Sequence, residues 1–325
     1  MISVALCTYN GEKYIKQQME SIIRQTIEPD EIVICDDCST DNTVNILKQL
    51  LNEWKGTYTI IKNEHNLGFR KNFEKAISLC HGDLIFLSDQ DDVWNLHKIE
   101  IIKNVFDNDS AVNLVFHDAQ VVDKNLNVIR KSFWKILSFD YSKFALGDYR
   151  RLQHSNIVQG SACAFRKKIF FDATPFPIEA YHDEWLALIS LLQGQIVAVP
   201  QQLLLYRQSG NNAVGAQSET FCKKIKKWLT HVHKLSLEHF NEMVRREKIG
   251  HEYEMRSLRI TNRQSEFSDY YQFLKQRIYY LEKKNWGVLL KFLDYISVSA
   301  NLTLALKIWI KDLLYLLIHM STSNN

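Results

Sequence analysis

Short apolar runs alternate with amphipathic stretches through the first 90 residues of the chain. The apolar runs are bounded by polar segments, which is typical of buried strands. Between the runs, apolar residues recur at i, i+4, i+7 and i+8, as at Ile15, Met19, Ile22 and Ile23, and this spacing predicts one buried helix face. The predicted strands are 2–8, 31–37, 58–63 and 84–88, and the predicted helices are 12–26, 39–54 and 72–80.

This alternation of strand and helix predicts an α/β fold, with a mostly parallel sheet covered by helices on both sides. Each predicted strand is apolar on both faces, as expected for strands buried between two helical layers. In such sheets ligands bind beyond the carboxyl ends of the strands. The residues at those ends are polar, in segments 8–11, 36–41, 63–72 and 88–92. The sequence therefore predicts where a binding site lies before it indicates the chemistry.

The second half of the chain is less regular. Residues 113–123 are predicted to be a strand, and 182–194 a helix. Residues 155–170 are interpreted as a loop, a strand and a short helix, and residues 195–208 as two short strands. From about Phe221 strand patterns give way to helical patterns rich in Lys and Arg. We therefore expect one domain over residues 1–217 and a helical appendage over residues 218–325.

The composition describes an ordinary globular protein. Of the 325 residues, 46% are hydrophobic and 24% are charged, and the net charge of +3 is too small to suggest a nucleic-acid partner. Six dispersed Cys follow no secretory signal, so we expect reduced thiols in the cytoplasm. Cys35 and Cys38 form a C-x-x-C pair, but no second pair exists to complete a zinc site. Asp36 and Asp37 between them would raise the thiol pKa values, which disfavours a redox role.

Crowded carboxylates end the fourth predicted strand. Asp89 and Asp91 should both be ionised at neutral pH and should repel each other unless they share a cation. Oxygen ligands of this kind suit Mg²⁺ or Mn²⁺, whose open positions phosphate oxygens can fill. The pattern therefore suggests a metal-bridged diphosphate, with Asp36 and Asp37 suited to base or ribose recognition. The alternative is that all of these are loop carboxylates and helix caps, with Asp92 capping the next helix.

Four motifs occur together and in order, and they carry a resemblance: VALCTYNGEKY, VICDDCSTDNT, NLGFRKNF and GDLIFLSDQDDVW. They closely resemble inverting glycosyltransferases of the type-A fold, commonly called family 2, from Ile2 to about residue 215. The segments DQDDVW, HDEWLAL and YRQSGNN are most similar to the bacterial rhamnosyltransferase subgroup, which builds cell-wall or surface polysaccharides. The resemblance implies a Rossmann-like type-A domain, Mg²⁺ or Mn²⁺, and a nucleotide-sugar donor. It favours dTDP-rhamnose, with UDP-glucose or UDP-galactose as alternative donors, and a saccharide or lipid-linked acceptor.

The resemblance also implies roles for the matching residues. Asp183 lies where the family keeps its catalytic base, and its neighbour Glu184 is the alternative. Asp91 is the principal metal ligand, and Asp89 faces both the metal and the ribose. The substrate-binding residues are Thr8, Tyr9, Asn10, Glu12, Asp36, Asp37, Arg70, Asp89, Gln90, Gly160, His182, Glu184 and Arg207.

Several of these roles carry further expectations. Asp37 recognises the base, and Gly160 leaves room for the sugar and the acceptor to approach each other. His182 stands where many relatives carry an acidic residue, so it tunes the base, binds the acceptor or is a plain surface His. Relatives often carry a metal-binding His where this chain has Ser209, and water, Asn211 or Asn212 could complete the metal shell instead.

The implied chemistry is a single displacement at the anomeric carbon with inversion of configuration. Two other classes of protein are alternatives to a glycosyltransferase. A sugar nucleotidyltransferase would need a Gly-rich, Arg-containing loop where this chain has TYNGEKY. A non-catalytic nucleotide-sugar-binding subunit would tolerate loss of Asp183 or Asp91 without loss of biological output.

The C-terminal third carries lysines among apolar residues at helical spacing. No window approaches the ~18 uncharged apolar residues of a spanning helix, so no transmembrane segment is predicted. One interpretation of segments 221–235 and 285–320 is a helical bundle that packs on itself or on a second subunit, as in a homo-oligomer. The other is an amphipathic surface in the membrane interface, which would place the protein peripherally at the inner face of the cell membrane.

Overall fold

The computed structural model describes residues 1–208, 221–291, 294–296 and 302–321. The chain forms two compact units. The first unit comprises Met1–Gly147 with Asn156–Ala216, and the second comprises Asp148–Ser155 with Gln217–Asn325. Ser209, Asn211, Asn212 and the predicted boundary near 215–220 lie outside the described residues.

A single mixed sheet forms the centre of the first unit. Its strand order is β3-β2-β1-β4-β8-β6-β9-β5, with β7 paired to β6. The pairs among β1 to β4 are parallel, as is the β6–β9 pair, whereas β8 pairs antiparallel with both β4 and β6. The strands are β1 (Ile2–Thr8), β2 (Glu31–Asp36), β3 (Thr57–Lys62), β4 (Leu84–Ser88), β5 (Val93–Trp94), β6 (Val112–Val122), β7 (Val128–Arg130), β8 (Cys163–Arg166) and β9 (Gln195–Arg207).

Helices connect the strands of the first unit as the periodicity predicts. Ile15, Met19 and Ile22 of the first helix are fully buried, and burial of each such side chain stabilises the fold by roughly 1.5–3 kcal/mol. The helices of this unit are α1 (Ile15–Ile23), α2 (Thr43–Leu51), α3 (Gly68–Leu79), α4 (Lys98–Asn108), α5 (Phe133–Leu137), α6 (Tyr141–Ala145), α8 (Lys168–Ala173) and α9 (His182–Gln193). The short helix α7 (Arg150–His154) belongs to the second unit.

Two strand predictions were wrong. The third strand is not buried on both faces: four of the six residues of β3 are exposed, because β3 is an edge strand paired only with β2. Residues 195–207 form one strand rather than two. The β6–β9 ladder passes from the pair His117–Val199 to the pair Asp118–Gln202, so the bulge takes up Pro200, which cannot donate a ladder hydrogen bond.

Three long helices make up most of the second unit. They are α10 (Phe221–Thr261), α11 (Ser268–Glu282) and α12 (Leu302–Ser321). A buried ion pair joins two of them: the Arg277 guanidinium donates to both carboxylate oxygens of Asp312, at 2.9 and 2.7 Å. The Tyr295 hydroxyl also donates to Asp312. Within the described parts of the chain, no helix combines the length and apolar character needed to cross a bilayer.

Candidate active site

The carboxyl ends of β1, β2 and β4 bring the predicted polar segments to one edge of the sheet. Thr8 pairs with Asp36 in the parallel ladder, and Ser88 pairs with Leu6 two residues earlier in β1. Asp89 therefore leaves the sheet beside the segment that begins at Thr8. This edge is the position that the alternating pattern predicts for a ligand.

Asp36 lies beneath this edge rather than open to it. The side chain is fully buried. One carboxylate oxygen accepts hydrogen bonds from the hydroxyls of Thr8, at 2.8 Å, and Ser39, and the other accepts from the Ser39 amide at 2.9 Å. These contacts tie β1 to the turn after β2. Substrate binding by Thr8 and Asp36 remains a prediction that these internal hydrogen bonds do not favour.

Asp37 organises the start of α3. Its Oδ1 accepts from the Asn63 amide and from the Leu67 backbone amide, both at 2.8 Å, and its Oδ2 accepts from the Gly68 amide at 2.9 Å. Gly68 has a φ of +75°, which residues with a side chain rarely adopt. The carboxylate thus lies at the site edge in a fixed orientation, and base recognition by Asp37 remains a prediction.

Gln90 fastens the acidic turn to the segment after β1. Its side-chain oxygen accepts from the Tyr9 amide at 2.8 Å, and its side-chain nitrogen donates to the Tyr9 carbonyl at 2.9 Å. Asn10 accepts from the Thr40 amide at 2.9 Å, and Glu12 accepts from the Asn42 amide at 2.8 Å. Gln90, Asn10 and Glu12 thus hold neighbouring loops together, whereas the half-exposed Tyr9 ring is open for contact with a ligand.

The acidic turn contains strongly interacting carboxylates. Burial, with the added charges of Asp91 and Asp183, raises the pKa of Asp89 to about 7. Burial also raises the pKa of Asp92 well above its usual range, and one Asp92 oxygen accepts from the Arg207 amide at 3.0 Å. Asp92 is therefore an internal residue, and it does not cap α4, which begins at Lys98. The charges of Asp91 and Asp183 both act on the pKa of Asp89, so these three carboxylates lie near one another in one site.

Lys98 is a buried cation that the sequence analysis missed. Its Nζ donates to the Ser161 carbonyl at 2.6 Å and lies 3.7 Å from the centroid of the Trp94 ring. Its charge counteracts the rise in the pKa of Asp89. The sequence contained a signal for this burial. Lys98 lies one turn before Ile102 and two turns before Phe106, so it shares their apolar helix face, and all three residues are buried.

Asp183 lies in the first turn of α9 and is buried. Its Oδ1 accepts from the Asn156 side-chain amide at 2.9 Å and from the Glu184 backbone amide at 2.7 Å. Burial raises the pKa of Asp183 to about 7, even though hydrogen bonds from Glu184, Asn156 and Gly160 act in the opposite direction. The Glu184 carboxylate accepts instead from the Tyr181 amide at 3.3 Å, as part of the helix cap. This difference favours Asp183 over Glu184 as the base.

His182 is not a surface residue, so that alternative was wrong. Its ring is buried and stacks on Phe73, with centroids 4.0 Å apart and planes 15° apart. Burial lowers the pKa of His182 to about 3, so the ring is neutral at physiological pH. A Cβ atom at Gly160 would lie 2.6 Å from His182 Nε2 and 3.5 Å from Asp183 Oδ2. Gly160 therefore lies directly against the predicted base, where only a residue without a side chain fits.

The two predicted arginines make internal contacts. The Arg70 guanidinium donates to the Ile178 carbonyl and lies 4.8 Å from the Tyr181 ring centroid. Arg207 is buried and donates to the carbonyls of Asp91, at 2.6 Å, and Lys124, at 2.8 Å. Arg207 positions the backbone of the acidic turn. Its binding to phosphate oxygens remains a prediction that these contacts do not favour.

Asp89 and Asp91 have the donor chemistry that a divalent metal requires. Within the described residues, no three His, Cys, Asp or Glu side chains converge as a complete metal shell. Mg²⁺ does not require such a shell, because it is commonly bound through one or two carboxylates together with substrate phosphates. Besides burial, the charge of Asp91 raises the pKa of Asp89, and a shared cation would relieve this repulsion. The residues present therefore fit Mg²⁺ or Mn²⁺ with a diphosphate.

The surroundings of the C-x-x-C pair do not favour a redox role. Cys35 is buried and Cys38 is half-buried, and both are free thiols. Burial, with a smaller contribution from Asp37, raises the pKa of Cys35 to about 11, and Cys38 donates to the Asn63 carbonyl. A thiol with a raised pKa is a poor nucleophile at neutral pH.

Comparison with known proteins shows the family to which the chain belongs. Residues 3–172 match the family model described as Glycosyl transferase family 2. The chain belongs to this family, so the family prediction made from the sequence is confirmed. The dTDP-rhamnosyl transferase RfbG of Shigella flexneri is 32% identical over 224 residues, which cover 65% of this chain and 74% of RfbG. An uncharacterized glycosyltransferase of Haemophilus influenzae is 28% identical over 239 residues, which cover 70% of this chain and 72% of that protein.

Solved structures confirm the predicted fold class. Staphylococcus aureus TarS 1–349 in complex with UDP-GlcNAc aligns with a TM-score of 0.56 and 17% identity, and the alignment covers 99% of this chain and 91% of TarS 1–349. The complex of the same protein with UDP aligns with a TM-score of 0.53 and 18% identity. The chain is therefore a glycosyltransferase with the type-A fold and additional C-terminal helices.

Proposed function

We propose that the chain transfers L-rhamnose from dTDP-rhamnose to a hydroxyl of a saccharide or lipid-linked acceptor, with inversion and with the help of Mg²⁺ or Mn²⁺. The observation that carries this proposal is the buried Asp183, whose charge acts on Asp89 across a single site. This arrangement supports the action of a base and a donor-binding carboxylate on the same sugar. The similarity to RfbG supports the choice of donor.

Asp183 is the proton acceptor in this reaction. Hydrogen bonds to Asn156 and to the Glu184 amide hold Oδ1, and Oδ2 lies on the Gly160 side. A pKa of about 7 keeps a useful fraction of the carboxylate ionised at neutral pH while making it a stronger base than an ordinary Asp. The acceptor hydroxyl gives its proton to Asp183 as its oxygen bonds to the anomeric carbon. The bond from that carbon to the diphosphate breaks in the same step, and the configuration inverts.

Asp89 and Asp91 would hold the metal ion. When bound, Mg²⁺ or Mn²⁺ offsets the negative charge that develops on the departing nucleoside diphosphate. The protein positions these carboxylates through Gln90, which fixes the turn to Tyr9, and through Arg207, which holds the Asp91 carbonyl. Hydrogen bonds made by groups other than the carboxylates therefore hold the acidic turn in place.

The proposed setting is synthesis of a cell-wall or surface polysaccharide at the inner face of the cell membrane. The similarity to RfbG supports a role with a rhamnose donor, and a lipid-linked acceptor would be found at that membrane face. A second copy of the chain remains a candidate partner.

A donor panel tests the proposal. The full chain is incubated with Mn²⁺ or Mg²⁺ and with dTDP-rhamnose, UDP-glucose, UDP-galactose or UDP-GlcNAc, and nucleoside diphosphate release is measured. We expect release from dTDP-rhamnose, and its loss in Asp91→Ala. Turnover of a UDP-sugar without turnover of dTDP-rhamnose would contradict the donor and leave the enzyme class standing. Release of pyrophosphate from a nucleoside triphosphate and a sugar phosphate would indicate a nucleotidyltransferase instead.

A further inference from the structure

The outer side of α12 carries an exposed apolar stripe. Leu302, Leu306, Ile310 and Leu317 are 60, 45, 41 and 51% exposed. At 3.6 residues per turn, their spacing places all four within about 80° of one another around the helix. We call these four residues the α12 stripe. A continuous apolar surface of this kind is typical of an interaction site, whereas single exposed apolar residues are not.

The stripe is not the face by which α12 packs into its own unit. Ala305, Asp312 and Leu316 form that face and are fully buried. The ion pair between Asp312 and Arg277 fixes the rotation of α12 against α11, because turning the helix would separate two buried charges. The α12 stripe therefore lies beside the buried face of the helix and is exposed.

Positive charge lies beside the stripe. Lys307 and Lys311 both have exposed side chains one helical turn apart, although partial burial and the nearby charge of Arg277 lower the pKa of Lys311. The sequence of α12 contains one acidic residue, Asp312, which is buried and paired with Arg277. The exposed charge of this helix is therefore entirely positive, and it complements a negatively charged partner.

A second segment contacts α12. The short 3-10 helix Trp286–Lys291 lies against α12, since the Trp309 indole donates to the Leu289 carbonyl at 2.9 Å. The next residue, Leu290, is 89% exposed. This segment therefore adds an exposed apolar residue directly after its contact with α12.

We propose that the α12 stripe, with Lys307 and Lys311, docks on an anionic lipid bilayer. A helix with an exposed apolar face and flanking lysines can insert that face at the level of the headgroups, while its lysines contact anionic lipid. A second copy docked through the same face would bring Lys307 and Lys311 of both chains to one seam, where like charges repel. This docking proposal rests on the proposed function only for its biological reason, because a lipid-linked acceptor would lie at a membrane surface.

Vesicle flotation with the full chain tests this surface. The vesicles are pure phosphatidylcholine, or phosphatidylcholine mixed with phosphatidylglycerol, an anionic lipid whose negative surface potential attracts lysines. We expect the wild-type chain to float with the anionic vesicles and to remain largely in solution with the neutral ones. The fraction bound should fall as salt is raised, because ions screen the lysines.

Two double variants separate the contributions. Leu306→Glu with Ile310→Glu should abolish flotation, and Lys307→Glu with Lys311→Glu should lower partitioning by at least tenfold, since each lysine contributes about fivefold. Leu146→Glu, at an 89% exposed position of the first unit, is the matched control and should bind as the wild type does. Circular dichroism establishes that each variant is folded. If the apolar variant does not fold, the lysine variant still decides the question, because it alters exposed side chains only.

The outcomes distinguish this proposal from the proposed function. Nucleoside diphosphate release from the donor, measured without vesicles, should be the same in all these variants. A wild-type chain that stays in solution with anionic vesicles would overturn the proposal. The proposal would also be overturned if the Leu306→Glu, Ile310→Glu variant floats as the wild type does. It would likewise be overturned if light scattering shows that this variant differs from the wild type only in its oligomeric state. None of these results would bear on transfer.

Discussion

Replacing Asp183 by Asn should stop transfer and at the same time stabilise the protein at alkaline pH. The Asn side chain has the same shape, and its oxygen can still accept from the Asn156 amide and the Glu184 backbone amide. It cannot take a proton from the acceptor. General-base assistance contributes roughly 10²–10⁴-fold, so transfer should fall by that factor while donor affinity is kept.

The stability effect follows from the raised pKa of Asp183. Burial moves this pKa from 3.8 to about 7. At 1.36 kcal/mol per unit, the ionised carboxylate costs the folded state at most about 4 kcal/mol above pH 7. The folded protein holds the proton more tightly than the unfolded chain does. The associated stabilisation is therefore complete below pH 3.8 and is lost as the pH rises to about 7.

Urea unfolding of wild type and Asp183→Asn at pH 5 and pH 8, followed by tryptophan fluorescence in the presence of EDTA, measures this effect. The stability advantage of the variant should grow by about 2–3 kcal/mol between the two pH values. Glu184→Gln discriminates between the two candidate bases: it should retain far more transfer than Asp183→Asn. A difference in stability that does not change with pH would refute the burial argument. Transfer by Asp183→Asn within tenfold of wild type would refute the catalytic assignment.

Three further predictions follow from the same structure. Transfer measured as kcat/KM should rise about tenfold per pH unit up to about pH 7 and then level off, because Asp183 must be ionised; a flat profile would contradict this role. Gly160→Ala places a Cβ 2.6 Å from His182 Nε2, so it should lower transfer more than tenfold. It should also lower the free energy of unfolding in urea by about 1–3 kcal/mol. Unchanged kinetics would mean that the site has room for the added methyl group. Arg277→Met leaves the buried Asp312 carboxylate without its guanidinium partner, so helix α12 should lose hydrogen-exchange protection equivalent to about 3–5 kcal/mol. Adding Asp312→Leu should restore much of this protection. Full protection in the single variant would show that the ion pair is dispensable.

Local patterns predicted the strands and helices of the first half because each of these elements is defined by its own apolar spacing. Apolar runs and helical stripes define β1 to β4 and the helices between them, and parallel strands bring their carboxyl ends to one edge. The sequence could not predict that β8 inserts antiparallel between β4 and β6, because apolar spacing defines a strand but not the strands beside which it lies. The edge position of β3 was missed for the same reason.

Some features of the candidate site were likewise predicted from the sequence, and others were not. Asp89, Asp91 and Asp183 were predicted from position and motif, and the structure brings them together. The burial of Lys98 and the internal hydrogen bonds of Arg207 were not predicted, because charged side chains are usually exposed and their partners here are distant in sequence. Physical chemistry explains both outcomes: carboxylates mark a site by their crowding, whereas a buried cation is apparent only once the fold surrounds it.

We propose that Asp89 and Asp91 tolerate each other because a divalent cation binds a sugar-bearing diphosphate between them. A crystal of the chain with Mn²⁺ and dTDP-rhamnose, measured at a wavelength where manganese scatters anomalously, tests this proposal directly. We expect an anomalous peak in contact with the Asp91 carboxylate and with diphosphate oxygens, and we expect Asp183 to lie near the anomeric carbon. A nucleotide bound away from Asp91, or a manganese peak elsewhere in the protein, would contradict it.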